Sequence, residues 1–214
     1  LYGADNMPNL MSHMFGDLWE RSRAVDPLYP ADLQQPEFSL PFQPGRVWSF
    51  TGGPHSAWGE GGALAALDFA PPSSTAGCVA SNEWVTAAAS GVIVRAADGI
   101  VIQDLDGDCV EQTGWNIMYL HVETRDRVQP GTYVQTGDKI GHPSCEGGIS
   151  TGTHVHVARK FNGEWILADG PLPFTLSGYV AKNGGSPYQG SLESGQARII
   201  ANPLGTLRSY ISLP

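Results

Sequence analysis

The sequence predicts a mainly β protein built around an antiparallel sheet, and three observations support this. Residues that favour turns are abundant, with 27 Gly and 16 Pro among 214 residues, whereas only 15% of residues are charged. Short apolar stretches recur along the middle of the chain at the length and spacing of strands. The dipeptides Asp98-Gly99 and Asn162-Gly163 lie between such stretches, and both are typical of two-residue hairpin turns.

Three zones follow one another along the chain. Residues 1–44 open with MPNLMSHMFGDLWERS, whose apolar positions recur every three or four residues and predict a short amphipathic helix, and continue as a Pro-rich stretch with long loops. Residues 45–190 hold most candidate strands, which are VWSFTG, ALAALDFA, WVTAAASGVIVRAAD, GIVIQDLDGDCV, WNIMYLHVE, TYVQTGDKIGH and HVHVARKFNGEWI. Residues 191–214 add ARIIAN and LRSYIS, which we expect to pack on the preceding domain as further strands.

Charge and hydropathy exclude two classes of partner. The formal net charge is −9, and nucleic-acid binding calls for a basic face. No apolar run approaches the roughly 20 residues of a membrane-spanning helix. The chain begins at Leu1 without a start methionine or a signal-peptide pattern. We therefore interpret it as a mature or trimmed form. Few lysines, many Gly and Thr-Gly turns and several Trp expected at the surface favour a secreted or periplasmic protein, and we expect a monomer.

Two histidines share one face of a predicted strand in the segment STGTHVHV. Successive side chains of a strand point to opposite faces, so His154 and His156 project together while Val155 and Val157 face the core. A His-x-His pair is weak evidence by itself, because solvated or core-edge histidines produce it too. Its interpretation depends on other residues of the chain.

Three further candidates stand upstream, since GGPHSAWGEG, ALAALDFA and WNIMYLHVET contribute His55, Asp68 and His121. A catalytic zinc typically takes three protein ligands and leaves one position for water. The remaining imidazoles suit proton transfer and stabilisation of an oxyanion. The sequence lacks the His-Glu-x-x-His arrangement of zincins, so a histidine would have to assist the water. Spacing alone leaves open which histidine has which role.

These segments resemble the lysostaphin-type zinc metallopeptidases, most closely the branch that contains β-lytic metalloendopeptidase and staphylolysin. The resemblance covers about residues 45–190 and rests on GPHS, LDFA thirteen residues after that histidine, YLH and CEGGISTGTHVHV. It implies an antiparallel lysostaphin-like core that binds zinc. Its implied metal ligands are His55, Asp68 and His156.

The same resemblance makes His121 and His154 the unligated pair that orients the attacking water and stabilises the oxyanion. Tyr188, in GGSPYQGS, takes roughly the place of a functional tyrosine, although the loop before it differs in length. The resemblance also pairs Cys109 with Cys145 in a disulfide and leaves Cys78 unpaired.

The implied activity is hydrolysis of peptide cross-links in bacterial peptidoglycan, at or next to glycine, with peptidoglycan peptides or Gly-rich peptides as substrates. One alternative is a metal-free, non-catalytic cell-wall-binding or regulatory module of the same fold. Another is a biotinyl or lipoyl carrier, since VTAAASGVIVRA and VQPGTYVQTGDKIG have the strand and turn rhythm of such domains. The carrier hypothesis is weakened because no lysine lies between Trp84 and Lys139.

Two other segments are predicted to have structural roles. DLDGDCVE begins with the spacing of a calcium-binding loop, but it lacks the glycine and distal glutamate of an EF-hand, and it lies between strands. We therefore predict a hairpin turn there. His142 precedes a proline and is predicted to be a turn residue.

Overall fold

The computed structural model describes residues 29–213, and these form strands and loops without a helix. The helix predicted over residues 7–22 lies outside the described residues. From Gln34 onward the chain forms one compact unit. Within the described part of the chain there is no helix long and apolar enough to cross a membrane.

Within residues 29–213, fifteen strands make up three antiparallel sheets, which confirms the predicted fold class. The strands are β1 (Val47–Ser56), β2 (Leu64–Ala70), β3 (Val85–Thr86), β4 (Gly91–Ala97), β5 (Ile100–Asp104), β6 (Trp115–Leu120), β7 (Tyr133–Val134), β8 (Lys139–Gly141), β9 (Val155–Phe161), β10 (Glu164–Trp165), β11 (Thr175–Leu176), β12 (Tyr179–Asn183), β13 (Gly190–Ser194), β14 (Ala197–Ile200) and β15 (Tyr210–Ser212).

The main sheet has nine strands in the order β15-β1-β2-β9-β6-β5-β4-β7, with β10 paired to β9. Both predicted hairpin dipeptides form its turns. Asp98 and Gly99 join β4 to β5 with φ of 51° and 74°, and Asn162 and Gly163 join β9 to β10 with φ of 49° and 81°. Asn, Asp and Gly tolerate this left-handed backbone best, which is why these sequences specify the turns.

Two smaller sheets complete the fold. One has the order β11-β12-β13-β14, and the other pairs β3 with β8. The boundary predicted between residues 190 and 191 falls inside β13, which pairs with strands on both sides. The two late strand candidates correspond to β14 and β15, and β15 pairs with β1 at the edge of the main sheet.

Both faces of the main sheet are buried. Val155 and Val157 lie in the core as predicted, and neither is exposed to solvent. The opposite face, which carries His156, is also covered and forms a second apolar cluster. That cluster consists of Ala57, Ala65, Ala66, Ile100, Ile102, Met118, Leu120 and Ala158. The histidines therefore lie at the end of an apolar layer and not on an open surface.

The predicted disulfide between Cys109 and Cys145 is wrong, because Cys78 is bonded to Cys145 and Cys109 is an exposed free thiol. Cys109 lies in the β5–β6 loop, whereas Ser144, beside Cys145, bonds to His121 at the other end of β6. Six strand residues span about 20 Å, far beyond the roughly 7 Å between Cα atoms that a disulfide tolerates. The Cα atoms of Cys78 and Cys145 are 5.8 Å apart.

We expect Cys78→Ser to lower the free energy of unfolding by about 4 kcal/mol, because the bond closes a long loop in the unfolded chain. The two half-cystines are 67 residues apart in sequence. Urea denaturation followed by tryptophan emission measures the loss, and Cys109→Ser is the matched control, which should unfold like the wild type. Equal stability of Cys78→Ser and Cys109→Ser would contradict this bond.

Candidate metal centre

Three neighbouring strands of the main sheet bring His55, Asp68 and His156 together. Asp68 on β2 lies directly opposite His156 on β9. His55 comes from β1, whose register with β2 shifts on both sides of this residue. Such irregularities re-aim a side chain relative to a regular strand, and here they turn His55 toward Asp68.

The donor atoms of these three residues form a nearly equilateral triangle. His55 Nε2 lies 3.0 Å from His156 Nδ1, and each of these nitrogens lies 3.2 Å from Asp68 Oδ1. All three side chains are buried. Asp68 Oδ1 accepts no hydrogen bond from the described residues. A buried carboxylate oxygen in that state is costly unless something positive lies beside it.

The outward nitrogens of the two imidazoles fix their tautomers. His55 Nδ1 is 2.8 Å from the carbonyl oxygen of Gly53, and His156 Nε2 is 3.1 Å from that of Ala57. Carbonyl oxygens only accept hydrogen bonds, so both outward nitrogens carry the hydrogen. In the neutral rings the lone pairs then face inward across 3.0 Å. Such a contact is repulsive unless a proton or a cation lies between the two nitrogens.

This donor set fits zinc. Bonds of about 2.0–2.2 Å to a tetrahedral zinc place ligand atoms about 3.3 Å apart, close to the sides of this triangle. Backbone carbonyls that orient the two imidazoles are the usual second contacts of metal-binding histidines. The three residues are also one of two groups in the described chain whose side chains could hold a metal ion.

Two further imidazoles adjoin the triangle. His154 Nδ1 donates to the carbonyl oxygen of Gly152 at 2.7 Å, and its Nε2 lies 3.8 Å from Asp68 Oδ1. His121 Nδ1 donates to the carbonyl oxygen of Glu146 at 2.8 Å. The rings of His121 and His154 are 4.5 Å apart. Both therefore present an unprotonated Nε2 when neutral, beside the three donor atoms but outside their triangle.

Tyr188 lies at the rim of the same cluster. Its ring stacks on His55 with 4.1 Å between centroids, while more than half of the side chain remains exposed. Tyr188 and His121 both have positive φ, at 69° and 66°. Non-glycine residues rarely adopt this backbone, and strain of this kind clusters at functional sites.

The electrostatics of the cluster favour a carboxylate beside positive charge. Burial acts to raise the pKa of Asp68, but charge on His55 and His154 outweighs it, so this pKa lies well below its usual range. Burial lowers the pKa of His55, yet Asp68 reverses the effect and the net shift is upward. Burial, followed by charge on His154, lowers the pKa of His121 to about 4. His121 is therefore neutral at pH 7 and available as a proton acceptor.

A glycine makes room for the buried carboxylate. Gly52 lies opposite Asp68 in the β1–β2 pair, and a Cβ at this position would overlap the Asp68 carboxylate. Any side chain there would displace Asp68 from the triangle. The Gly-Gly pair before His55 is thus part of the site.

The structure adds groups that the sequence interpretation missed. The carbonyl oxygens of Gly53, Ala57, Glu146 and Gly152 orient the four imidazoles. A signal for two of them was present, because a glycine stands two residues before both His55 and His154. His142 lies elsewhere. It is a buried residue packed on Trp84 rather than a turn residue, and its Nδ1 donates to the carbonyl oxygen of Glu83.

Comparison with known proteins agrees with this geometry. Residues 72–167 match the model of peptidase family M23, a stretch that includes His121, His154 and His156. The chain is 31% identical over 160 residues to a beta-lytic metalloendopeptidase of Achromobacter lyticus, covering 70% of this chain and 39% of the relative. It is 29% identical over 156 residues to a beta-lytic metalloendopeptidase of Lysobacter enzymogenes, covering 70% of this chain and 81% of the relative.

A solved structure is similar as well. The M23 metalloprotease pseudoalterin, described as from the deep sea, superposes with a TM-score of 0.64 and 28% identity, over 78% of this chain and 96% of that one. The chain spans less than half the length of the Achromobacter relative. The resemblance to lysostaphin-type metallopeptidases is confirmed, and the chain carries a domain of peptidase family M23.

Proposed function

We propose that this domain is a zinc-dependent endopeptidase that cleaves peptide cross-links of bacterial peptidoglycan, at or next to glycine. The triangle of His55, Asp68 and His156 donor atoms carries the proposal, because its three sides match a zinc ligand set. Membership of a peptidase family supports the reaction. The wall substrate and the glycine preference rest on the lysostaphin-type resemblance.

The chemistry divides between the ion and the protein. A zinc ion held by the triangle would act as a Lewis acid on a peptide carbonyl and lower the pKa of its water toward neutrality. His121 is neutral at pH 7 and can accept the proton of the attacking water. His154, whose Nδ1–H donates to the Gly152 carbonyl oxygen, presents Nε2 to the reacting groups and can donate to the oxyanion when Nε2 is also protonated.

Tyr188 is proposed as an auxiliary hydrogen-bond donor to the oxyanion. Burial, together with the negative charges of Asp68 and Glu60, raises the pKa of its hydroxyl, so the hydroxyl keeps its hydrogen near neutral pH. Stacking on His55 holds the ring beside the proposed zinc ligands. Its exposed edge faces solvent, where a substrate can reach it.

The alternative is a metal-free binding or regulatory module of the same fold. A module without a metal would need a proton between the His55 and His156 nitrogens, which are 3.0 Å apart, and would keep a buried Asp68 oxygen without a hydrogen bond. The carrier hypothesis finds no support either. Lys139 lies on β8 with its Nζ over the Trp84 ring and is not at the tip of a hairpin.

Digestion of defined cross-linked muropeptides, followed by mass spectrometry, tests the proposal. Protein with one zinc per chain should release fragments that end or begin at glycine, and chelation should stop the reaction until zinc is restored. Direct cross-links without glycine serve as the matched substrate control. A zinc-loaded protein that cleaves neither substrate would refute the proposed substrate, and a protein that binds no zinc would refute the enzyme.

We further propose that the protein acts outside the cytoplasm. The Cys78–Cys145 bond supports this, because such bonds persist in oxidising compartments.

A further inference from the structure

A second group of side chains capable of holding a metal lies in the loop between β5 and β6. Asp104 ends β5, and Asp106 and Asp108 follow in the loop. One carboxylate oxygen from each lies within 4.8 Å of the others. None of the ion pairs within residues 29–213 involves these three carboxylates. Three negative groups therefore converge without a positive partner.

A buried amide oxygen points to a ligand at the same place. Asn116 lies directly opposite Asp104 in the β5–β6 pair, on the same face of the sheet, and is 1% exposed. Its Nδ2 donates to the carbonyl oxygen of Thr113 in the same loop at 2.8 Å, which leaves Oδ1 as the free atom of the amide beside Asp104. Its Oδ1 is buried and accepts no hydrogen bond from any described residue. An oxygen in that position is stabilised by a cation and destabilised without one.

The loop backbone follows the first half of an EF-hand calcium loop. In that loop, positions 1, 3 and 5 supply side-chain oxygens, and a glycine at position 6 makes the sharp turn. Counting from Asp104, position 6 is Cys109, which adopts the left-handed φ of 66° in place of a glycine. The Cys109 N–H donates to Asp104 Oδ2 at 2.9 Å and holds this carboxylate inside the turn.

The negative charge at this site favours a bound cation. Burial raises the pKa of the Asp104 carboxyl, and the adjacent Asp106 carboxylate raises it further. Thr113 Oγ1 donates to Asp108 Oδ2 at 2.5 Å, and this hydrogen bond lowers the pKa of the Asp108 carboxyl, which favours its charged form.

We propose that the β5–β6 loop binds one Ca²⁺ through the carboxylates of Asp104, Asp106 and Asp108 and the side-chain oxygen of Asn116. All four ligands are oxygens, which hard cations prefer, whereas the His55 triangle is rich in nitrogen. Ca²⁺ accepts six to eight oxygens in irregular geometry, and solvent and the exposed loop backbone can complete the shell. Mg²⁺ requires a near-ideal octahedron and is a poorer fit to a loop of this shape.

This ion is structural in our proposal. The loop joins β5 to β6, and His121 lies at the opposite end of β6. Calcium would hold this end of the hairpin closed without contact with the reacting groups. Calcium should therefore change stability while the turnover of zinc-loaded protein stays unchanged.

Titration of zinc-loaded protein with CaCl₂ in a calorimeter tests the proposal, with MgCl₂ as the matched ion. We expect one Ca²⁺ per chain with a Kd of about 10⁻⁴ M, in the range of extracellular calcium modules. At a hundredfold excess over such a Kd, thermal unfolding should shift upward by about 5–10 °C. Loading with zinc first keeps the His55 triangle from taking part.

Three variants locate the ion. Asp106→Asn and Asp108→Asn keep the side-chain shapes and should weaken Ca²⁺ binding at least about tenfold, because affinity follows the number of charged ligands. In Asn116→Leu, Ca²⁺ should no longer raise the temperature of thermal unfolding. Asp98→Asn removes one exposed carboxylate from the β4–β5 turn and should bind Ca²⁺ like the wild type. Failure of the wild type to bind Ca²⁺, or unchanged binding in both aspartate variants, would overturn the proposal.

Discussion

Replacing His156 with alanine is expected to remove both the bound zinc and the peptidase activity. His156 Nδ1 is one corner of the donor triangle, 3.0 Å from His55 Nε2 and 3.2 Å from Asp68 Oδ1. Its loss leaves two donors, and the neighbouring His154 is held away from the vacated position by its hydrogen bond to Gly152. Loss of a hydrogen bond that orients a metal ligand weakens metal affinity by about 10–100-fold, and loss of the ligand itself should weaken it further.

Zinc content by mass spectrometry, measured beside turnover of a muropeptide, tests this prediction. His142→Ala is the matched control, because it removes another buried imidazole that packs on Trp84 away from the triangle. It should keep about one zinc per chain. Circular dichroism checks folding of both variants. If His156→Ala kept full zinc and full turnover, the chemistry would have to lie elsewhere in the molecule.

His154→Ala should separate activity from metal binding. His154 Nε2 lies 3.8 Å from Asp68 Oδ1, beyond the sides of the triangle, so its removal leaves the three donors in place. Zinc should stay near one per chain. Turnover should nevertheless fall by roughly 10²–10⁴, the usual contribution of a positioned proton-transfer or oxyanion-stabilising group.

His121→Ala should behave in the same way, because its ring adjoins His154 and is held by the Glu146 carbonyl outside the triangle. The comparison of zinc content with turnover in these two variants and in His156→Ala assigns the roles. A His154→Ala protein that loses zinc, together with a His156→Ala protein that keeps it, would show that the two histidines have exchanged roles. Full turnover in both His121→Ala and His154→Ala would refute the proposed proton-transfer pair.

Most of the β-structure was predictable because strands and hairpins depend on local patterns. Short apolar stretches of strand length located β2 and β9, and the φ preferences of Asp98-Gly99 and Asn162-Gly163 specified two turns. The candidate metal ligands and proton-transfer residues were also predictable, because few residue types bind zinc or transfer protons near neutral pH.

The sequence by itself thus determined the fold class, the family resemblance and the set of candidate residues, since these depend on residue type and short-range spacing. Only the tertiary structure decided which groups meet. It joined Cys78 and not Cys109 to Cys145, because the length of β6 separates the latter two. It placed His156 within the triangle and His154 beside it, because strand register and two backbone carbonyls aim the rings. Distances between residues far apart in sequence are a property of the folded sheet, and no local pattern encodes them.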